Sequence, residues 1–198
     1  MTPDWRKIVG ILAVAEADKR SFLLEHEVYS LLRVLGVETP RFFFVKKGEK
    51  AAPKKLQSLG SGSVVLKIVS PSIIHKTEVG GVAFVKNNPG EVNRAIRRML
   101  AEVPQRLAKW TKGSGAMEEV SSLKCQPDIR GTLVLEKVAY ENVGFGSELL
   151  LGIRHSREFG PVVTVGLGGL DVEYVNARLK DQLSVGLGSA QLLRRKDI

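Results

Sequence analysis

Residues 64–85 read Val-Val-Leu-Lys-Ile-Val-Ser-Pro-Ser-Ile-Ile-His-Lys-Thr-Glu-Val-Gly-Gly-Val-Ala-Phe-Val. The run Val64–Val69 is β-branched at most positions and stops at Ser70-Pro71, the pattern of a buried strand closed by a turn. Gly80–Val85 reads as a second strand. One lysine, Lys67, interrupts the first strand. An ammonium there must find a partner or face a cavity, because burying it unpaired is costly. His75 and Lys76 lie on the connection, and Gly80-Gly81 lets backbone approach a ligand closely. Two lysines and a glycine-bearing turn between strands suit a cradle for an anionic phosphate chain. The alternative is a Lys67 that snorkels to the sheet edge and a His75 on the surface.

Working outward, residues 20–35 carry apolar side chains at Phe22, Leu23, Leu24, Val28, Leu31, Leu32 and Leu35, close to helical spacing. Ser21 is the expected N-cap and Gly36 the stop. Arg41–Val45 is expected as a short strand and Lys54–Leu59 as a brief helix. Glu91–Val103 is expected as a helix with Val92, Ala95, Ile96, Met99 and Leu100 on its apolar face. The stretch 109–126 shows no period. Strands are expected at Gly131–Val138, Ser147–Ile153 and Pro161–Leu167, and the pattern weakens beyond Asp171. Mixed helices and strands without a repeat period argue for an α/β or α+β protein.

The chain has 198 residues, enough for one domain or two small lobes, and 43% are hydrophobic. The single cysteine, Cys125, excludes an internal disulfide framework, and a reducing compartment follows, with cytoplasm the default. No apolar run approaches the ~18 residues of a membrane span, and no signal peptide is evident. Net charge is +9. The basic residues are dispersed and no aromatics interleave with them, which argues against a nucleic-acid platform and for a solvated surface or a field attracting phosphorylated ligands.

The usual nucleotide motifs fail. There is no Gly-Lys pair for a Walker-type loop. The GxG pairs at Gly144/Gly146, Gly166/Gly168 and Gly186/Gly188 lack the third glycine of a dinucleotide fingerprint. His26, His75 and His155 have no metal-ligand spacing, so no metal site is expected from them.

The segment Val64–Val82 resembles the signature of the ATP-grasp module of NDP-forming acyl-CoA synthetases, a group that includes the ADP-forming acetate-CoA ligases. Leu23-Leu-Glu-His-Glu27 with Leu35-Gly-Val-Glu-Thr-Pro40 is similar to the family's first helix and turn. Gly131–Val138 resembles its lobe-linking strand, and Glu148–Gly152, Phe159–Val163 and Gly166–Gly169 through Glu173 its next strands. The likeness covers residues 20–175.

The resemblance implies an α+β ATP-grasp fold of two α/β lobes, one formed by 63–138 and the other by 1–62 with 139–198. It implies the conversion of acid, CoA and ATP to acyl-CoA, ADP and phosphate through a phosphohistidine relay. His75 would carry the phosphate, Lys67 would contact the nucleotide phosphates and Lys76 would offset their charge. Gly80 and Gly81 would let the loop close. Glu136 and the backbone near Val138 would hold the adenine edge, and Glu148 the ribose. ATP or ADP and Mg2+ are the implied ligands. The family's Asp-x-Asn-Pro magnesium motif does not occur here, so the module is expected to be incomplete at its C-terminal end, with the magnesium ligands outside this chain. CoA-binding and ligase domains, or an α-type subunit, are the implied partners, with a CoA thioester as substrate. His155-Ser156-Arg157 departs from the family's Arg-Asp-Pro. A second class of relative keeps a non-catalytic module, binding nucleotide or acyl-CoA, fused to an acetyltransferase.

Overall fold

The computed structural model describes residues 3–60, 62–73, 75–113, 127–139, 144–176, 178 and 185–189. The chain divides into two compact units, Met1–Val138 and Ala139–Ile198.

In the first unit, helices α1 (Trp5–Ala17) and α2 (Glu25–Val34) precede strand β1 (Phe42–Lys46) and the short helix α3 (Pro53–Gln57). Strands β2 (Ser63–Val69) and β3 (Val82–Lys86) flank the quoted loop. Helix α4 (Pro89–Gly113) and strand β4 (Gly131–Glu136) complete the unit. The sheet runs β1-β4-β2-β3, antiparallel throughout. Strand alternation divides β2 between two cores. Val64, Leu66 and Ile68 join Val134, Leu56 and the Val92, Ala95, Ile96, Met99 and Val103 stripe of α4. Val69, Leu133 and Leu135 face the other way with Leu24 and Tyr29.

Helix α2 begins later than its apolar spacing suggests. Ser21 is not the cap; Leu24 is. Glu27 reaches back to accept the Leu24 amide at 2.7 Å, and Arg20 clamps the same carboxylate with both terminal nitrogens at 2.8 and 2.9 Å. This buried pairing holds Arg20–Leu24 in a non-helical turn and takes up an otherwise orphaned helix N–H. Helix α4 extends past the expected Val103 end, through Pro104, to Gly113. Leu107 and Trp110 continue the stripe packed on the core, and that burial offsets a proline penalty of about 3 kcal/mol. Of the stretch expected to be irregular, 109–113 is therefore helical, and 114–126 lies outside the described residues. Gly80 and Gly81 belong to a turn, with β3 starting at Val82, and Val138 lies beyond the end of β4.

The first 62 residues belong with 63–138, not with 139–198 as the resemblance implies. Strand β1 pairs with β4 along its length, from Phe42↔Leu135 to Lys46↔Gly131, so the two stretches share one sheet.

In the second unit, β5 (Leu149–Ser156), β6 (Gly160–Leu167) and β7 (Val185–Ser189) form an antiparallel sheet in that order, with helix α5 (Gly169–Asn176) after β6. The sequence pattern foreshadows β5 and β6 but neither α5 nor β7; the latter is Val-Gly-Leu-Gly-Ser, and its glycines obscure a strand period.

Candidate functional site

The site is centred on Lys67 in the middle of β2. Its pairing partners Val82 and Leu133 put it on the face that carries α2. The aliphatic stem is half-buried, and its Nζ reaches Glu25 Oε1 at 2.6 Å. Lys76 comes from the loop and places its Nζ 3.2 Å from Glu25 Oε2. The Tyr29 hydroxyl donates to Glu25 Oε1 at 3.4 Å. One carboxylate in the first turn of α2 therefore bridges two ammonium groups from different elements.

Burial works against both charges, and the pairing overrides it. Burial pushes the Glu25 carboxyl up, but the hydrogen bonds and charges of Lys67 and Lys76 hold it below its ordinary value. Burial pulls Lys67 down, and the Glu25 hydrogen bond and charge raise it above its ordinary value. Burial, helped by the charge and hydrogen bond of Glu25 and opposed by the Lys67 charge, raises the neighbouring Tyr29.

His75 turns to the opposite side from Lys76. Its ring lies 4.9 Å from that of Trp110 on α4, tilted by 36°, and its Nδ1 is 3.7 Å from Glu78 Oε1. The loop thus wraps the end of the sheet, with consecutive side chains sent to opposite faces. Its return depends on the two glycines. Gly80 has φ +69°, and a Cβ there would strike the Arg106 guanidinium. The Gly81 amide donates to the Lys76 carbonyl at 2.6 Å, and its own carbonyl accepts from Ile68. A Cβ on Gly81 would stand 2.8 Å from that Lys76 oxygen, so the close approach requires glycine.

Glu136 does not join Lys67. It pairs with Val64, on the face that carries α4, and its carboxylate accepts the backbone amide and Nε–H of Arg41. That backbone hydrogen bond, with the Arg41 charge, keeps its carboxyl below the ordinary range. Val138 is exposed just past β4. Glu148 belongs to the second unit, where it precedes β5 and its carbonyl accepts the Gly168 amide at 2.8 Å. Its carboxylate sits where a Cβ on Gly169 would be, at the start of α5.

The structure thus brings together Lys67, Lys76, His75, Gly80 and Gly81 around one loop. It adds Glu25, which sequence reasoning passed over; the only signal was an acidic residue opening an amphipathic helix. Among the described residues no cluster of three or more His, Cys, Asp or Glu side chains is placed to hold a metal ion, so no residue here is assigned to magnesium. Among them, too, no helix is long and apolar enough to cross a membrane.

Two sheets with flanking helices, and a lysine-bearing loop between antiparallel strands, are what an ATP-grasp protein provides. The ATP-grasp domain model matches residues 14–185, and the chain belongs to that family. It is 32% identical over 163 residues to the beta subunit of an ADP-forming acetate–CoA ligase, enzyme I of Pyrococcus furiosus, covering 82% of this chain and 60% of that one. It is 33% identical over 167 residues to the ADP-forming 4-hydroxybutyrate–CoA ligase of Nitrosopumilus maritimus, covering 84% of this chain and 20% of that one. The chain therefore spans 60% and 20% of the lengths of these two relatives, less than two thirds of either. Among solved structures it resembles acetyl-coenzyme A synthetase 1 of Ca. Korarchaeum cryptofilum bound to coenzyme A, Ca-AMPCP and HgCl+. The TM-score is 0.63 at 28% identity, over 95% of this chain and 68% of that one. A structure of the same synthetase holds coenzyme A and Mg-AMPPCP, with a phosphohistidine segment pointing towards the nucleotide site. It superposes with a TM-score of 0.58 at 26% identity, over 95% of this chain and 66% of that one.

Proposed function

We propose that this chain is the ATP- and ADP-binding part of an NDP-forming acyl-CoA synthetase, which interconverts acid, CoA and ATP with acyl-CoA, ADP and phosphate. The observation that carries this reading is the convergence of Lys67 and Lys76 on one anionic group, on the loop that also bears His75. Two ammonium groups from a rigid strand and a glycine-hinged loop suit the terminal phosphates of a nucleotide. Relatives that are ADP-forming ligases support the reaction class.

In this reading His75 is the phosphoryl carrier. Its Nδ1 faces Glu78, leaving Nε2 as the open nitrogen. For the transfer the loop must carry His75 from Trp110 to the face of Lys67 and Lys76; Nε2 then attacks the terminal phosphorus, a N–P bond forms, the P–O bond to ADP breaks, and ADP leaves. Glu78 steadies the imidazole while it carries positive charge. The reverse step returns the phosphoryl group to ADP. Magnesium bound with the nucleotide would supply neutralisation of phosphate charge, beside the ammonium groups of Lys67 and Lys76. Glu136 and the Val138 backbone are assigned to the adenine edge, which requires Glu136 to share its contact with Arg41, and Glu148 is assigned to the ribose. CoA-binding and ligase domains, on the same chain or an α-type subunit, supply the acyl-CoA chemistry.

The test is phosphorylation of the complete assembly with γ-labelled ATP. An acid-labile phosphate on this chain, absent in His75→Ala, is expected. Nucleotide binding without any labelled histidine would replace this reading with that of a non-catalytic nucleotide-binding module.

A further inference from the structure

Glu25 holds both lysines of the proposed phosphate site. It presents Oε1 to Lys67 at 2.6 Å and Oε2 to Lys76 at 3.2 Å, and among the described residues it is the only carboxylate paired with either. A carboxylate that spreads two oxygens over two ammonium groups occupies the place of two phosphate oxygens. We propose that Glu25 is a built-in competitor for the phosphate chain, which enters by displacing its carboxylate from Lys67 and Lys76. This rests on the reading of Lys67 and Lys76 as phosphate ligands.

Three features make the exchange workable. Two lysines against one carboxylate leave the cluster net positive, so it still attracts an anion. Lys67 is fixed in the strand, whereas Lys76 rides a loop that turns on Gly80 and can follow an incoming group. Glu25 lies in the first turn of α2, so once released it remains favoured by the helix N-terminus. Without Glu25, two facing ammonium groups would repel each other. Its role is to keep the site shaped until phosphate arrives, at a cost in affinity.

The experiment is calorimetric titration of the whole chain with tripolyphosphate and, in parallel, with ATP, on wild type, Glu25→Gln and Glu25→Gln/Lys67→Ala. Circular dichroism establishes that each variant is folded. Glu25→Gln is expected to bind tripolyphosphate about tenfold more tightly than wild type, with the gain lost in the double variant. If Glu25→Gln does not fold, Glu25→Asp takes its place: it keeps the charge but draws it back by one methylene, and a smaller gain of the same sign is expected. Equal or weaker binding in the folded variant, or no tripolyphosphate binding by any form, overturns the proposal. Tighter tripolyphosphate binding without any ATP binding upholds it and removes the nucleotide reading. ATP binding unaffected by Glu25→Gln leaves the nucleotide reading standing and removes the competitor.

Discussion

Lys67 occupies a strand position that an aliphatic residue would ordinarily fill, and burial of its stem is what makes Glu25 necessary. From sequence alone the demand for a partner is legible, because a lysine amid Val, Leu and Ile cannot be left unpaired. The partner's identity is not, since Glu25 lies 42 residues away and meets Lys67 only once α2 packs on the sheet. The same limit applies to Glu136. Its place on an alternating strand was readable, but its face follows from the register Val64↔Glu136, which turns it away from Lys67 and onto Arg41. Glu25→Ala is expected to destabilise the fold by about 1–3 kcal/mol, since it leaves Lys67 half-buried and unpaired; denaturant unfolding measures it. The pH dependence has a definite sign. Glu25 is depressed below an ordinary 4.5, so its contribution is complete above that value and disappears as pH falls through the lower folded value. Lys67 is raised above an ordinary 10.5, so its contribution is complete below that value and disappears as pH rises through the higher folded value. Thermal melts across pH should show both losses shrink in Glu25→Gln.

At the scale of elements, β2 is held by burial and α2 by a charged clamp. Leu66 is fully buried between β4 and α4, whereas Phe84 on edge strand β3 is 67% exposed. Leu66→Ala should cost about 2–5 kcal/mol and Phe84→Ala within about 0.5 kcal/mol in the same denaturant titration. Comparable losses would mean that the sheet is not packed as described. Glu27 anchors the start of α2 through Arg20 and the Leu24 amide. Glu27→Ala should cost about 1–3 kcal/mol, because a buried guanidinium loses its two-pronged partner and keeps Asp18, while the Leu24 amide loses its acceptor, and far-UV circular dichroism should show lost helix. The stripe on α4 was readable as far as Leu100 because its spacing is regular. Pro104 masked the rest, since proline ordinarily ends a helix and only the core contacts of Leu107 and Trp110 carry it onward.

At the scale of the molecule, both buried clusters of the first unit are built from residues before Val138. A fragment ending there is expected to unfold cooperatively, with a single transition by fluorescence and circular dichroism; a non-cooperative melt would contradict the division. The grouping of 1–62 with 139–198 failed because a five-residue strand decides it. Phe42-Phe-Phe-Val-Lys46 was legible as a strand, but which strand it pairs with is a long-range fact. The motif series, in contrast, was legible, because its lysines, histidine and glycines lie within one loop and two strands. Whether that loop holds nucleotide is addressed directly by calorimetry with ATP and ADP on this chain, with and without magnesium. Binding by wild type that is lost in Lys67→Ala is the expected result; nucleotide binding that Lys67→Ala leaves unchanged would contradict the account.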